Sequence, residues 1–322
     1  MSAISRLVAR RRARSALAAL AVTSLTLAGC GLGAGKAPSG VQLLVTQDFG
    51  LGFLHRSGAL TVRGQETVMS LLMRNYRVST RFGGGFVQSI EGLSGGQEAG
   101  DPVDWFYYVN GVEAGKGAAS TNVHPGDHIW WDRHDWSQTQ HIPAIVGSYP
   151  EPFLNGVGGK RIPVRVECAS VSGHACGTVR RELRAAGVPA SAAGLGSGGE
   201  PETLRVMVGP WTAIEGDPAA HSIGEGPRAS GVYARFSTDG RTLTILERYG
   251  RPVRTLHAES GLIAATRRAE EAPVWVVTGT DAAGVDLAAR SFNVEGLVSR
   301  FAVGVNSSAG SFAVPNEELS RR

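Results

Sequence analysis

Apolar and polar residues alternate along the first part of the chain in a pattern that predicts several strands and one helix. The segment VQLLVTQDFG is a strand candidate, and DWFYYVNGVEAG predicts a strand that ends in a hairpin turn at Asn110-Gly111. Between them, Val68, Leu71 and Leu72 fall on one face of a predicted helix. GGFVQSIEGL and PGDHIWWDRHDW supply further strands. One helix against a mixed sheet predicts an α+β domain of about a hundred residues.

The second half alternates strand and helix patterns, which is typical of an α/β or α+β domain. RIPVRVECA, TLRVMVGPW and SRFAVGVN predict strands, and GVYARFSTDGRTLTILERYG predicts a hairpin around Asp239-Gly240. Helices are predicted for CGTVRRELRAAGVPA, which stops at Gly187, and for SGLIAATRRAEEA. PVWVVTGTDAAGVDLAARSF predicts a buried strand, a polar turn and a helix.

The N-terminus has the pattern of a secretory signal, with basic residues, an apolar run and small residues at its end. The apolar run, from Ala16 to Ala28, is shorter than the roughly 20 residues that span a bilayer. Its ending, LAGC, resembles a bacterial lipobox, which implies cleavage after Gly29 and lipidation of Cys30. Two or three acyl chains such as palmitate would hold the protein at the outer face of the cell membrane. An uncleaved membrane anchor is the alternative.

These signals divide the chain into four predicted parts. Residues 1–29 form a lipoprotein signal peptide, and residues 30–40, rich in small side chains, form a lipidated tether. A first domain covers residues 41–140, and a second domain covers residues 160–322. The stretch between them, HIPAIVGSYPEPFLNGVGGKRIP, is rich in proline and glycine, as domain boundaries often are.

Cleavage of the signal peptide changes the charge of the protein. Five of the 32 basic residues precede Cys30 and no acidic residue does, so 27 basic residues remain against 28 acidic ones. The basic pI therefore belongs to the signal peptide, and no basic character remains that would indicate nucleic-acid binding.

The two other cysteines, Cys168 and Cys176, lie close together in the sequence. An oxidising compartment would let them pair, and the export signal therefore predicts a disulfide in the second half. Two buried free thiols are the alternative. A zinc site has less support, because His174 is the only histidine nearby and no fourth ligand follows.

Residues 104–136 hold four of the six tryptophans of the chain. On a strand, Trp105 and Tyr107 face one way, and Phe106 and Tyr108 face the other. On the strand predicted for PGDHIWWDRHDW, the side chains of Trp130 and Trp131 likewise point to opposite faces. Both strands thus carry aromatic side chains on both faces, although a single helix covers only one face of a sheet. The other face must be closed by the second domain or by a ligand, since large exposed apolar patches mark binding surfaces.

Four segments of the first half together resemble the transcobalamin-like C-terminal domain of bacterial surface proteins. The matching segments are ETVMSLLMRNY, GGGFVQSIEGL, DWFYYVNGVEAGKGAAS and VHPGDHIWWD. The resemblance covers about residues 41–136 and implies a β-grasp-like fold, in which one helix packs on a mixed sheet. In animal transport proteins the related domain closes over one face of cobalamin, so the resemblance also implies a corrinoid-like ligand. The second half resembles no family that we recognise.

Other chemistry has weaker support in the sequence. His128, Asp132 and His134 would share one face of a strand and could bind a metal, but no known motif has this spacing. GLSGG around Ser94 matches the hydrolase nucleophile elbow, yet GQEAGDP after it cannot begin the helix that the elbow needs. Thr280 or Asp281, after a buried strand, is most simply the N-cap of the following helix.

The sequence therefore predicts a lipid-anchored extracytoplasmic protein that binds a small, partly apolar ligand without catalysis and requires no cofactor. The predicted ligand-binding residues are Trp105, Tyr107, Trp130 and Trp131. A cobalamin-like molecule is the expected ligand, and a membrane transporter is the expected partner that receives it. The alternative is an envelope interaction module in which the aromatic side chains only pack the two domains together. An enzyme ranks third, because no nucleophile–base pair stands out.

Overall fold

The structure is a computed structural model that describes residues 40–197 and 202–317. The predicted signal peptide, Cys30 and the tether up to residue 39 lie outside the described residues. Among the described residues, no helix is both long and apolar enough to cross a membrane.

The first half is a mixed sheet with one α-helix, α1 (Val68–Asn75). Its strands run in chain order as β1 (Val41–Gln47), β2 (Gly52–Leu60), β3 (Val78–Arg81), β4 (Phe86–Ile90), β5 (Leu93–Ser94), β6 (Gly96–Glu98), β7 (Asp101–Val109), β8 (Val112–Glu113) and β9 (His128–Asp135). The main sheet has the order β2-β1-β9-β7-β6, with β8 paired to β7, and β3-β4-β5 form a separate small sheet. Strands β1 and β9 are parallel and the other neighbours are antiparallel, which confirms the predicted α+β, β-grasp-like arrangement.

Local sequence signals explain where these elements begin and end. The Thr67 side chain caps α1 by accepting from the Ser70 backbone N–H. In return, the Ser70 hydroxyl oxygen accepts from the Thr67 backbone N–H, which completes a capping box. The buried face of α1 includes Val68, Leu71 and Leu72, as predicted. Between β7 and β8, Asn110 and Gly111 have φ values of 55° and 75°. Two consecutive positive φ values are what a two-residue hairpin of type I′ requires, and Asn-Gly adopts them readily.

The second half is a seven-stranded sheet with helices on both faces and a small three-stranded sheet. Its strands are β10 (Val164–Cys168), β11 (Ala190–Gly194), β12 (Leu204–Pro210), β13 (Ala234–Phe236), β14 (Leu243–Leu246), β15 (Pro252–Leu256), β16 (Ser260–Thr266), β17 (Val274–Gly279), β18 (Ala302–Asn306) and β19 (Gly310–Val314). Its helices are α2 (His174–Ala185), α3 (Trp211–Ile214), α4 (Pro218–Glu225), α5 (Pro227–Ser230), α6 (Ala282–Ser291) and α7 (Val294–Leu297). The large sheet has the order β11-β10-β12-β17-β16-β18-β19.

One predicted helix of the second half is wrong. SGLIAATRRAEEA contains the strand β16, which lies between β17 and β18 in the centre of the large sheet. All seven residues of β16 are buried. A strand covered on both faces has a continuous apolar sequence instead of an alternating one, and this removes the period that would distinguish it from a short buried helix.

The predicted disulfide is confirmed. Cys168 at the end of β10 is bonded to Cys176 in α2, with 5.9 Å between their Cα atoms. Both cysteines are buried, so the bond fastens the first turn of α2 to the sheet from inside the core. Such a short closed loop stabilises the folded state by about 2–3 kcal/mol in the chain-entropy account.

Three clusters of buried apolar residues hold the described residues together. One lies under α1 and belongs to the first sheet, and a second lies between α2, α6 and the large sheet. The third contains residues of both halves, including Leu44 and Trp130 from the first sheet and Phe301 and Tyr233 from the second half. Contact between the two halves is therefore part of the hydrophobic core. The predicted boundary between residues 140 and 160 stays a prediction.

Candidate functional site

The aromatic residues of segment 104–136 lie mainly on two neighbouring strands, β7 and β9. The antiparallel register sets Tyr107 opposite Trp131 and Tyr108 opposite Trp130. Because successive side chains of a strand point to opposite faces, these two cross-strand pairs lie on opposite faces of the sheet. The face that carries Tyr107 is called the helix face, since its residues join the cluster under α1, and the other is called the inner face.

The helix face carries three of the four predicted ligand-binding residues. Trp105 and Trp131 are almost entirely buried, and Tyr107 is half-buried. The rings of Tyr107 and Trp131 are stacked with their centroids 4.9 Å apart. The Trp105 indole N–H donates to the carbonyl oxygen of Leu93 at 3.1 Å. These contacts fix the orientation of the three rings, so the surface that they form is rigid.

The inner face is closed by the second half of the chain. Trp130 is 0% exposed and meets the ring of Phe301 edge to face, with 5.4 Å between centroids. Tyr108 is also 0% exposed and meets Phe301 in the same way at 5.5 Å. The fourth predicted ligand-binding residue, Trp130, therefore lies within the core that joins the two halves. Of the two predicted ways to close the second sheet face, by the second domain or by a ligand, the inner face shows the first.

A cavity of about 380 Å³ opens along the outer edge of β7, on the side away from β9. It is lined by Trp105, Tyr107 and Trp131 of the predicted set, and Trp130 is outside it. The remaining lining residues were not predicted and come from five separate stretches of the chain: Gly85, Phe86, Val87, Asp104, Phe106, Glu113, Ala114, Gly117, Ala118, Trp136, Gln140 and His141. Most of this lining is aromatic or small and apolar, and its volume lies in the range of small-molecule sites, about 300–1,000 Å³.

Two carboxyl groups are the acidic lining residues of the cavity. Asp104 accepts a hydrogen bond from the Trp136 indole N–H at 3.1 Å, and Glu113 lies 3.3 Å from the His141 ring. Burial raises the pKa of the Asp104 carboxyl above its ordinary value, although the Trp136 hydrogen bond opposes this shift. Burial likewise raises the pKa of Glu113 against the opposing effect of His141. The cavity contains no Lys or Arg among its lining residues.

An exposed aromatic pair borders the cavity. Phe82 is 86% exposed and its ring lies edge to face with that of Phe86, at 6.3 Å. Between them, Gly83 and Gly84 have positive φ values, which glycine adopts without steric cost. Because Phe86 lines the cavity, this loop extends its apolar surface outward into solvent. Exposed aromatic side chains next to a pocket are typical of binding surfaces.

Asp132 and His134 of β9 belong to a buried hydrogen-bond network. The buried Asp132 carboxylate accepts hydrogen bonds from the backbone N–H groups of Phe49 at 3.0 Å and Gly50 at 2.9 Å. It also accepts from the Thr46 hydroxyl and lies 2.8 Å from the His134 ring nitrogen. The network shapes the turn between β1 and β2. Within residues 40–197 and 202–317, no group of three or more His, Cys, Asp or Glu residues is arranged to hold a metal.

Two other sequence motifs occupy ordinary structural positions. The Asp281 side chain accepts from the backbone N–H of Gly284 at 2.8 Å, so Asp281 is the N-cap of α6 and Thr280, the other predicted candidate, is not. Ser94 ends the short strand β5, and its carbonyl oxygen accepts a hydrogen bond from Arg133 at 2.7 Å. Strand β6 follows Ser94, so the helix that a nucleophile elbow needs does not come after it.

Comparison with known proteins identifies one domain. Residues 65–135 match DUF4430, a domain family of unknown function. The match contains α1, the strands β3 to β9 and all four predicted aromatic residues. No curated protein and no solved structure matches the chain. The matched residues supply most of the cavity, while Trp136, Gln140 and His141 follow directly after the match.

Proposed function

We propose that this protein binds a small, partly apolar ligand in the cavity along β7, without catalysis, at the outer face of the cell membrane. The observation that carries the proposal is the lining, in which the partly exposed rings of Phe86, Tyr107 and Trp136 lie around one open space beside the almost entirely buried Trp105 and Trp131. Tryptophan and tyrosine suit a flat ligand, because each offers a broad apolar face together with one polar group.

The rigidity of the site supports binding over a purely structural role. The Tyr107 hydroxyl pairs with the Thr121 hydroxyl at 2.8 Å and also donates to the carbonyl oxygen of Lys116. Its ring is held by stacking on Trp131. Side chains that are already ordered lose little conformational entropy when a ligand binds, so most of the contact energy contributes to affinity.

A corrinoid-like ligand is the specific form of this proposal. It rests on the resemblance of residues 41–136 to transcobalamin-like domains, within which the DUF4430 match lies. A flat macrocycle would lie against the aromatic rim with Phe82 and Phe86 at its edge. Handover to a membrane transporter would follow, since a protein held by lipid chains stays beside the membrane.

The alternative is an envelope interaction module. It is favoured by the inner face, where Tyr108 and Trp130 pack on Phe301 and leave no space for a ligand. Under this alternative the helix-face residues would also serve packing alone, and the cavity would take up no small molecule.

Tryptophan fluorescence can test the proposal, because three of the six tryptophans line the cavity. The full chain carrying Cys30→Ala is titrated with cobalamin, cobinamide and haem, with correction for their absorbance. We expect a saturable response at micromolar concentration for at least one corrinoid. If none of the three ligands gives a saturable response, the corrinoid form of the proposal is wrong.

A matched pair of variants assigns any binding to the cavity. Ala114→Phe places a ring among the lining residues and is expected to weaken binding at least tenfold, because it occupies the space that the ligand needs. Ala193→Phe is the control, since Ala193 is similarly half-buried but lies on β11, away from the cavity. Equal affinities for the two variants would place the ligand elsewhere.

The lipid anchor has its own test, because Cys30 lies outside the described residues. Cys30→Ala removes the thiol that would be lipidated, so we expect the protein to move from the membrane fraction to the soluble fraction. Cell fractionation followed by immunoblotting measures the change. If the variant stays with the membrane, the N-terminal segment acts as an uncleaved anchor.

A further inference from the structure

Four residues in the middle of β7 have no neighbouring strand on the outer edge of the sheet. Strand β6 pairs with Asp101–Val103 at one end of β7, and β8 pairs with Tyr108 and Val109 at the other. In the part of the chain that the structure describes, residues 104–107 pair with β9 alone. A gap of four residues is about 13 Å long at the usual rise of a strand.

The hydrogen-bond pattern shows which backbone groups face this gap. Asn110 donates to His128 at 2.9 Å, and Trp136 donates to Pro102 at 3.1 Å. Even-numbered residues of β7 therefore exchange hydrogen bonds with β9, and the odd-numbered Trp105 and Tyr107 direct their N–H and C=O groups outward. Among residues 40–197 and 202–317, the two Trp105 groups and the Tyr107 N–H have no strand partner, whereas the pairing of Tyr108 with Glu113 directs the Tyr107 C=O towards the Ala114 N–H.

The cavity follows the same four residues. It is lined by every residue from Asp104 to Tyr107, which places the open edge of β7 along its floor. Phe86 and Ala118 line it beside the helix face, and Trp136 lines it beside the opposite face. The space is therefore a slot beside a strand edge, with Glu113 of β8 in its lining, and β6 pairs with the stretch of β7 that precedes it.

The charge of the slot is also one-sided. Asp104 lies at the end near β6, and Glu113, which is paired with Tyr108, lies at the end near β8. Both carboxyl groups line the cavity, where His141 is the one basic residue of the lining, and Arg81 and Arg133 act on Asp104 from outside the lining. A partner with a positive charge at its ends would complement this arrangement.

From these observations we propose that the ligand of the cavity is a short extended peptide segment that adds a strand to β7 between β6 and β8. This inference rests on the proposed function, that the cavity binds a ligand. The peptide backbone would pair with Trp105 and Tyr107, its alternate apolar side chains would contact the two walls, and flanking lysine or arginine residues would face Asp104 and Glu113. A peptide backbone carries alternating donors and acceptors, which are the groups that an open strand edge can pair with.

Amide hydrogen exchange in the full Cys30→Ala chain tests the pairing directly. In the free protein, the amides of Trp105 and Tyr107 are expected to exchange much faster than those of Phe106 and Tyr108, which are bonded to β9. The probe is a capped pentapeptide of sequence lysine–valine–alanine–valine–lysine. When it saturates the protein, exchange at Trp105 and Tyr107 is expected to slow at least tenfold. Slow exchange of these two amides in the free protein would overturn the inference.

Matched probes separate backbone pairing from other binding. A pentapeptide N-methylated at alternate amides cannot form the ladder and is expected to bind at least tenfold more weakly. Asp104→Asn is expected to weaken binding of the lysine-flanked peptide severalfold and to leave an alanine-flanked peptide unaffected. Equal affinities for the methylated and unmethylated peptides would overturn the inference. If a corrinoid binds and Ala114→Phe blocks it while the pentapeptide does not bind, the proposed function stands and this inference fails.

Discussion

Replacing Trp130 by alanine is expected to lower the free energy of unfolding by about 3–5 kcal/mol, the usual cost of removing a large aromatic side chain from a core. Trp130 is fully buried, and its indole N–H donates to the Thr46 hydroxyl at 2.6 Å. Gly147 approaches the indole so closely that a Cβ there would lie 2.7 Å from the ring. The backbone at Gly147 therefore already touches the Trp130 ring. In the alanine variant this backbone would have to move to fill the cavity that the ring leaves.

The same substitution tests whether the two halves unfold together. Trp130 belongs to the first sheet and its edge-to-face partner, Phe301, belongs to the second half. We therefore expect urea unfolding, followed by fluorescence and by far-UV circular dichroism, to give one coincident transition that moves to lower urea in the variant.

Trp136→Ala is the matched control, because Trp136 is half-buried beside the cavity and its loss creates no closed space. Its effect on unfolding is expected to be less than half that of Trp130→Ala. Equal effects, or a loss below about 1 kcal/mol for Trp130→Ala, would contradict the role of the inner face in joining the two halves.

Asp132→Ala is expected to destabilise the protein by a similar amount, about 3–5 kcal/mol, because it removes the acceptor at the centre of a buried network. The carboxylate accepts from the backbone N–H groups of Phe49 and Gly50 and from the Thr46 hydroxyl, and it lies beside His134. Each of these groups would be left without its partner inside the protein, at about 1–3 kcal/mol for a buried group before relaxation. The measurement is the urea midpoint, compared at one pH for all variants.

Asp132→Asn supplies the control for this second prediction. Asparagine has the same shape and keeps one acceptor oxygen, so part of the network survives and the loss of stability should be clearly smaller. If Asp132→Ala unfolds at the same urea concentration as the unmodified protein, the network does not stabilise the turn at Phe49 and Gly50.

Much of the fold follows from short-range sequence patterns. The hairpin at Asn110-Gly111 and the helical face of Val68, Leu71 and Leu72 are found where the sequence predicts them. The Asp281 cap is confirmed as well. Each depends on residues within about one turn of helix or one hairpin, so local physical chemistry is sufficient. The prediction failed at β16, whose continuous apolar sequence carries no period that separates a central strand from a helix.

The candidate site was predicted only in part, for a related reason. Alternation correctly separates Trp105 and Tyr107 from Phe106 and Tyr108 on β7, and Trp131 from Trp130 on β9, because side-chain direction in a strand has a period of two residues. The sequence does not give the register between the two strands, so it placed Trp130 in the same site as the other three residues. It cannot tell which of the two faces meets the second half. Phe86 and His141 line the cavity beside these residues, but no spacing along the chain relates them to β7.

The sequence by itself determined most of the elements, their caps and turns, the disulfide and the division of the aromatic side chains between two faces. Only the tertiary structure decided that Phe301 closes the inner face and that residues 104–107 of β7 lack an outer neighbour. The first group depends on interactions between residues close in the chain. The second depends on how distant segments pair and pack. Hydrophobic attraction has no direction, so the local sequence does not specify which distant segment a buried side chain will contact.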